Sequence, residues 1–381
     1  MTELLVLSNL NELTKVAESW DRLRKGLPHF FPDFESARFF LSDVSRNFRV
    51  FVLEEGDQIT CLACFVFGSV KKNFKLGERK LFTINVQEAS LFGSAILGKF
   101  DNTAIDQFLE VIRATFDFDL ISLGHVPLGS TLYNAIHRRR AGLFLTSPSR
   151  KTTTRWLITL PRTFNEYLAQ LSSNLRQRIK RKMRRLEHEL KWEFRVVHRP
   201  EQVEEFLRDS EAISRLTYQW NVGDRLCNDE GTRRLYIHRA TNGRLRCYIV
   251  YASGMPCAFL RGEFIDDTYY YETPGFDPQY SKLSPGLVLL VWAIRDLIEQ
   301  TSCKNFDFGH GGDTWGYKSK FGNTSYDCRE IELGRWRKPY SVVILVLQEA
   351  LNVAKNLANW FLGQGKLRQR MKKTIRKYGD N

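Results

Sequence analysis

Residues 268–322 read TYYYETPGFDPQYSKLSPGLVLLVWAIRDLIEQTSCKNFDFGHGGDTWGYKSKFG, and this stretch decides the fold. It opens on a β-branched and aromatic run, Thr268–Thr273, that suits a strand. A polar loop follows, and residues 286–299 are apolar over a length that suits a buried helix. A short strand, Asn305–Phe308, then ends in glycines. Strand, loop, helix and strand in this order point to a mixed α/β architecture.

The loop holds the first candidate site. Ser284 suits a helix N-cap, and Pro285 falls at the first helical position, where a missing N–H costs nothing. Gly286 leaves room for close approach. Free amides at such a helix start attract anions, and Lys282 adds charge. The alternative is an ordinary capped helix. The second candidate is the strand end, Asp307, Phe308, Gly309, His310, Gly311, Gly312 and Asp313, with Trp315, Tyr317, Lys318 and Lys320 just beyond. α/β folds place ligands in loops at the carboxyl ends of strands.

Upstream, Arg246–Ala252 and Cys257–Ile265 read as strands joined by a turn at Ser253-Gly254. The first half repeats this order: Arg49–Glu54, a turn at Glu55-Gly56-Asp57, Gln58–Gly68, Lys80–Val86, a helix over about 102–116 and a strand over 119–124 that ends in His125. RVFVLEEGDQITCLACF lies beside RCYIVYASGMPCAFLRG, and DLISLGH beside NFDFGH, so an internal duplication is expected. Helices are also expected over 8–25 and 34–45. Between the halves, Thr163-x-x-Glu166 is a capping box. Leu175, Ile179, Met183, Leu186 and Leu190 then form one helical stripe.

Composition bounds the function class. The 381 residues suit two or three domains, and with 43% hydrophobic residues the chain can bury a normal core. There is no glycine period, which excludes a collagen-like chain. The formal charge of +14 is localised: residues 176–185 carry seven Lys/Arg, and 366–377 another seven, with no acid in either. The body is therefore neutral, with two basic segments. Seven scattered cysteines argue for a reducing compartment. Cys61 and Cys64 sit three apart on an expected strand, so their sulfurs diverge and suit neither metal nor redox chemistry. No basic-then-apolar leader is evident at the N-terminus. Residues 341–362 contain Gln348, Glu349, Asn352, Lys355, Asn356 and Asn359, and read as an amphipathic helix rather than a span.

The order "strand, S-P-G loop, helix, F-D-F-G, Y-K-x-x-F-G" resembles the GNAT acyltransferase superfamily. More narrowly, it resembles the tandem-GNAT group described as CelD-like or BioF-like acetyltransferases. NEYLAQLSSNLRQRIKRKMRRLEHEL resembles that group's basic helix, and Trp20-Asp21-Arg22-Leu23 its N-terminal helix. FDFGHGGDTWGYKSKFG also resembles a segment of the Fem peptidyltransferases, which use aminoacyl-tRNA. The resemblance spans roughly residues 15–335.

It implies two tandem GNAT-like domains, each a mixed, mostly antiparallel sheet flanked by helices. Residues 1–155 would be a domain without a cofactor loop, 156–195 a connecting basic hairpin, 196–340 the domain with the acyl-CoA site, and 341–381 an amphipathic helix with a basic tail. The implied donor is acetyl-CoA or another acyl-CoA, held by Gln279, Ser281, Lys282, Leu283, Ser284, Gly286 and Leu287. Candidate bases are Asp307, Asp313, Glu272 and His310; Asp307 suits a structural role equally. Lys318 would stabilise the oxyanion, Tyr317 or Tyr280 would protonate the leaving thiolate, and Tyr218 and Trp220 would line the acceptor cleft or belong to the core. The implied activity is N- or O-acylation of a sugar, exopolysaccharide or cell-envelope precursor in the cytoplasm. The basic segments leave other readings open: aminoacyl-tRNA as donor, nucleic-acid binding, or attachment of 341–381 to an anionic membrane surface.

Overall fold

In this computed structural model the described residues are 2–362, apart from 26, 28–30, 43–46, 77–78, 116, 139–143, 147–151, 190, 218–219, 221–224, 311–315 and 336. The chain forms two compact units, Met1–Thr152 with Asp327–Asn381, and Thr153–Tyr326.

The first unit holds strands β1 (Thr2–Leu7), β2 (Asn47–Glu55), β3 (Gln58–Leu76), β4 (Arg79–Leu91), β5 (Leu97–Gly98), β6 (Leu120–Pro127) and β7 (Phe144–Thr146), with helices α1 (Ala17–Arg24), α2 (Phe34–Leu41), α3 (Asn102–Thr115) and α4 (Thr131–Arg138). The second holds β8 (Thr152–Thr159), β9 (Trp192–Val197), β10 (Cys247–Ala252), β11 (Met255–Ile265), β12 (Thr268–Phe276) and β13 (Asn305–Asp307). Its helices are α5 (Phe164–Gln170), α6 (Ser173–Glu189), α7 (Val203–Arg215), α8 (Glu230–Thr241) and α9 (Pro285–Gln300). The chain then returns to the first unit with β14 (Thr324–Arg335) and α10 (Pro339–Leu362).

Both units use one topology. In the first, β2, β3 and β4 form an antiparallel meander; α3 crosses over, and β6 returns parallel to β4. In the second, β10, β11 and β12 form the meander, α9 crosses, and β13 returns parallel to β12. The duplication read in the sequence is thus a duplication of fold. The turns match too: Gly56 and Gly254 both take positive φ, of 62° and 82°, which glycine adopts without strain.

In each unit the strands are covered on both faces. In the second unit, Leu168, Leu175 and Ile179 of α5 and α6 pack with Leu289, Leu290 and Ile294 of α9 on one face. Phe206 and Leu207 of α7 and Tyr236 of α8 cover the other, against Ile249, Tyr251 and Phe259. Burial on both faces explains why every residue of β10 is buried and why its sequence, CYIVYA, is apolar throughout. In the first unit, Cys61 packs with Phe108 and Ile112 of α3, and Cys64 with Trp20 and Phe34 of α1 and α2. The two thiols do face opposite sides.

Some local expectations are corrected. The helix expected over 8–25 is broken by a 3-10 turn at Thr14–Val16, where two β-branched residues weaken the helix. The strands expected to end near 68 and 86 continue to Leu76 and Leu91 as one long hairpin. Only half of the capping box at Thr163 forms: Glu166 N donates to Thr163 Oγ1 at 3.2 Å, while the Glu166 carboxylate accepts from the Arg162 amide rather than from that of Thr163.

Candidate active site

β12 and β13 run side by side for only three residues, Thr268↔Asn305, Tyr269↔Phe306 and Tyr270↔Asp307. Beyond Tyr270, β12 continues on β11 alone, while β13 has ended. The separation opens a cavity of about 790 Å³. Tyr271, Thr273 and Phe276 line it from β12, Phe308, Gly309 and His310 from the end of β13, and Ser284, Pro285, Gly286 and Leu287 from the start of α9.

The start of α9 is not capped as expected. Ser284 precedes the helix, but it takes a left-handed conformation, φ 60° and ψ 51°, and its side chain makes no capping hydrogen bond. The cause is local. Residues 278–284 coil through tight turns, with Ser281 N donating to Pro278 O and Ser284 N to Ser281 O. A residue before proline is disfavoured in the right-handed helical region, so Ser284 leaves it. Pro285 has no N–H, so Gly286 carries the first amide of the helix; the Ser284 side chain takes none, and the Ser284 carbonyl accepts from the Leu287 amide at 3.1 Å. A Cβ on Gly286 would meet only Phe276, at 3.5 Å. The glycine is not required by packing, and it leaves the first turn open.

Positive charge surrounds this opening. Arg178 of the basic helix α6 lines the cavity, as do Lys318 and Lys320. Lys182, one turn on, donates to the Lys282 carbonyl at 2.6 Å and pins the loop to α6. Lys318 is 7% exposed, and its Nζ donates to the Phe308 carbonyl at 2.9 Å, which holds the ammonium at the strand end.

The strand end itself is held by a buried ion pair. Asp307 is 1% exposed. Arg155 of β8 donates from Nε to both its oxygens at 2.9 Å, and the Gly309 amide donates to Oδ1 at 2.8 Å. Arg155 Nη1 lies 2.6 Å from His310 Nε2. A guanidinium only donates, so Nε2 is the acceptor and the ring proton sits on Nδ1.

The remaining candidates separate clearly. Tyr317 lines the cavity, its hydroxyl 3.2 Å from that of buried Tyr271, whose phenol burial pushes well above its ordinary pKa. Glu272 lines the cavity, but it is bound to Arg239 at 2.8 Å and lies 3.8 Å from Arg261. Burial opposes its ionisation; the two guanidiniums prevail and hold it below the ordinary carboxylate value. Asp307 does not line the cavity, and its carboxylate is engaged as above. Ser281 lines the cavity, whereas Lys282 and Leu283 do not. Gln279 turns back onto Asp277, its amide nitrogen 2.6 Å from Oδ2. Tyr280 packs on the core. Trp220 is stacked by Arg215 and Arg225, their guanidinium carbons 4.8 and 5.2 Å from the ring centroid, and does not line the cavity. Tyr218 and Asp313 lie outside the described residues.

Three residues were not singled out from the sequence. Arg155 is a lone charge in the strand TTTRWLIT, and a single arginine among strand formers signals a buried partner. Tyr271 alternates with Tyr269, which puts both on one face of β12. Arg178 was one of seven cations on α6, and only the fold distinguishes it.

The family described as an acetyltransferase (GNAT) domain matches residues 173–319. No curated protein matches the chain. Among solved structures, FemX superposes with a TM-score of 0.58 at 10% identity, over 86% of this chain and 98% of its own. The C-terminal domain of a putative lysylphosphatidylglycerol synthetase from Agrobacterium fabrum gives 0.51 at 13%, over 88% and 96%. A tandem GNAT protein from the clavulanic acid biosynthesis pathway gives 0.50 at 11%, over 88% and 98%. At these identities the structural likeness establishes the fold. Residues 173–319 thus match an acetyltransferase (GNAT) domain, and the chain around them has the fold of a tandem GNAT protein.

Proposed function

We propose that the second unit moves an acyl group from acyl-CoA, with acetyl-CoA the simplest donor, to an amine or hydroxyl of a sugar, an exopolysaccharide or another cell-envelope precursor. The observation that carries this reading is the cavity between the separated ends of β12 and β13. It meets an uncapped helix start and the cations Arg178 and Lys318. Diphosphate suits the amide of Gly286 and the charge of Arg178. The thioester then lies between the strands. The acceptor attacks its carbonyl carbon, and the oxyanion forms near the Lys318 ammonium. When the C–S bond breaks, the Tyr317 hydroxyl gives the sulfur a proton, and the proton that the acceptor loses on acylation returns, through water, to the Tyr317 phenolate; Tyr271 stands beside it as the second member of the phenol pair. The seven cysteines are free thiols, which fits work in the reducing cytoplasm.

A second reading shares the cavity. The contact of α6 with the loop, Lys182 on Lys282, brings a strongly basic helix to the cavity rim. That arrangement also suits an aminoacyl-tRNA, whose acceptor end carries several phosphates. Isothermal titration decides between them. Heat with acetyl-CoA that disappears in R178A supports the first reading. Silence at millimolar acetyl-CoA, with salt-sensitive binding of aminoacyl-tRNA, replaces it with the second.

A further inference from the structure

Helix α10 packs on the long β3–β4 hairpin of the first unit. Ile344 and Leu345 are buried with Phe74 and Val86, and Ile84, Leu347 and Leu351 close the contact. This accounts for one apolar face of α10. The helix has a second one. Tyr340, Val343, Val346, Val353 and Leu357 are all exposed, Val346 by 60% and Leu357 by 52%. Their spacing of three, three, seven and four puts them on one stripe. Five large apolar side chains in water along one stripe are not the normal scatter of a soluble surface.

The hairpin extends the patch. The register Val70↔Val86 and Phe74↔Phe82 places Val70 and Phe82 on the hairpin face that carries α10. Both are exposed, and Phe82 stacks on Phe74 with centroids 4.9 Å apart. Charge completes the picture. Residues 339–362 contain a single acid, Glu349, and the same helical spacing reaches Trp360 and Phe361 in the sequence. Seven cations and no acid follow in 366–377. No helix among the described residues is long and apolar enough to cross a membrane.

We infer that this face of the first unit lies on an anionic lipid surface. The exposed stripe of α10, with Val70 and Phe82, enters the acyl boundary, and the cations of 366–377 bind lipid headgroup phosphates. An apolar stripe ending in a cationic cluster has the two signals that stable interfacial attachment needs. A protein partner would match the stripe but give no general reason for seven cations at its end. The inference rests on the first unit and is independent of the acyl-transfer reading, which concerns the second.

The test is co-sedimentation of the full chain with vesicles of phosphatidylcholine alone, and of phosphatidylcholine with about one-third phosphatidylglycerol. Binding to the second kind only, weakening as salt rises, is the expected result. V346E/V353E, at exposed positions, should reduce partitioning by roughly tenfold or more with an unchanged circular dichroism spectrum. Charge-neutral replacements at Lys372, Lys373 and Arg376 should reduce it as strongly and flatten the salt dependence. No binding to anionic vesicles overturns the inference. So does binding that V346E/V353E leaves unchanged, since the tail then acts without the face. A dimer in light scattering that V346E/V353E makes monomeric, without vesicle binding, assigns the face to a second copy and also overturns it.

Discussion

Arg155 Nη2 lies 2.7 Å from Asp307 Oδ2, and both side chains are almost fully buried. This pair fixes the point where β13 stops, because the same carboxylate accepts the Gly309 amide. A buried pair adds little net stability against an apolar substitute, but removing one partner strands the other. R155M should therefore destabilise the protein by about 3–5 kcal/mol, whereas R155M/D307L should recover most of that loss. Urea denaturation of the single and double variants checks this; equal losses would show that the pair is not coupled.

The phenol pair carries a kinetic expectation. Tyr271 stays protonated because burial raises its pKa far above neutrality, and its hydroxyl meets that of Tyr317. Y317F should lower kcat by about tenfold to a hundredfold while leaving donor affinity and melting temperature unchanged. Thiol release from acetyl-CoA with a surrogate amine reads the rate. A matching loss of donor affinity would move Tyr317 from proton transfer to binding.

Gly286 separates binding from folding. An alanine Cβ there makes only an ordinary contact with Phe276. Alanine is also the better helix former, by about 1 kcal/mol in a helix interior. G286A should hold or slightly raise the melting temperature and weaken acetyl-CoA binding by roughly tenfold, since the methyl sits where phosphate would approach the helix start. Unchanged affinity in calorimetry would move the diphosphate away from this turn.

The pH dependence has a defined sign. Glu272 has a folded pKa below its ordinary value of 4.5, burial notwithstanding, through Arg239 and Arg261. A lowered folded pKa means the unfolded chain takes up the proton first. The contribution is therefore complete above pH 4.5 and declines as pH falls through the folded value. E272Q should show a shallower loss of stability with acid than the parent, read from thermal melts across that range.

Thiol labelling tests the burial of the cysteines. Burial pushes the Cys61 thiol up to about 12, the Cys64 thiol higher still, and the Cys303 thiol up to about 11. Cys227 is only partly buried, so native protein at about pH 8 should be alkylated there before the buried thiols. Cys61 and Cys64 should label only with unfolding. Mass spectrometry of the alkylated peptides reads the order.

Much of the second unit was legible in its sequence because its signals are local. The apolar run 286–299 became α9, Pro285–Gln300, since length and flanking turn residues leave a helix little alternative. Leu175 and Ile179 were assigned to one stripe and are both buried. Strands whose partners are distant were missed. β14 pairs with β6, and the alternation in TSYDCREIELGR is too broken to declare a strand without its neighbour. The strand expected to end at Gly68 runs on through Lys71, Lys72 and Asn73, polar residues that carry no strand signal of their own. In the fold, Lys72 is bound to Glu88 and Glu332, so a charged triplet sits inside a strand. Of the residues that line the cavity, Gly286, Tyr317 and Lys318 belong to motifs legible in the sequence. The restraints on Asp307 and Glu272 were not, since each depends on an arginine brought in from another element.

The first unit is built from two pieces of chain, with all of Thr153–Tyr326 translated between them. β14 pairs with β6 along Gly334↔Leu120 to Cys328↔Pro127, so β6 leaves the ribosome about two hundred residues before its neighbour exists. At about 5–20 residues per second, that edge waits on the order of ten to forty seconds. An unpaired edge of this kind invites wrong pairing, so the nascent amino-terminal half is a natural client for a chaperone. Stalled chains ending near Thr152 should be cut by protease within β6, and release of full-length product should abolish that cleavage.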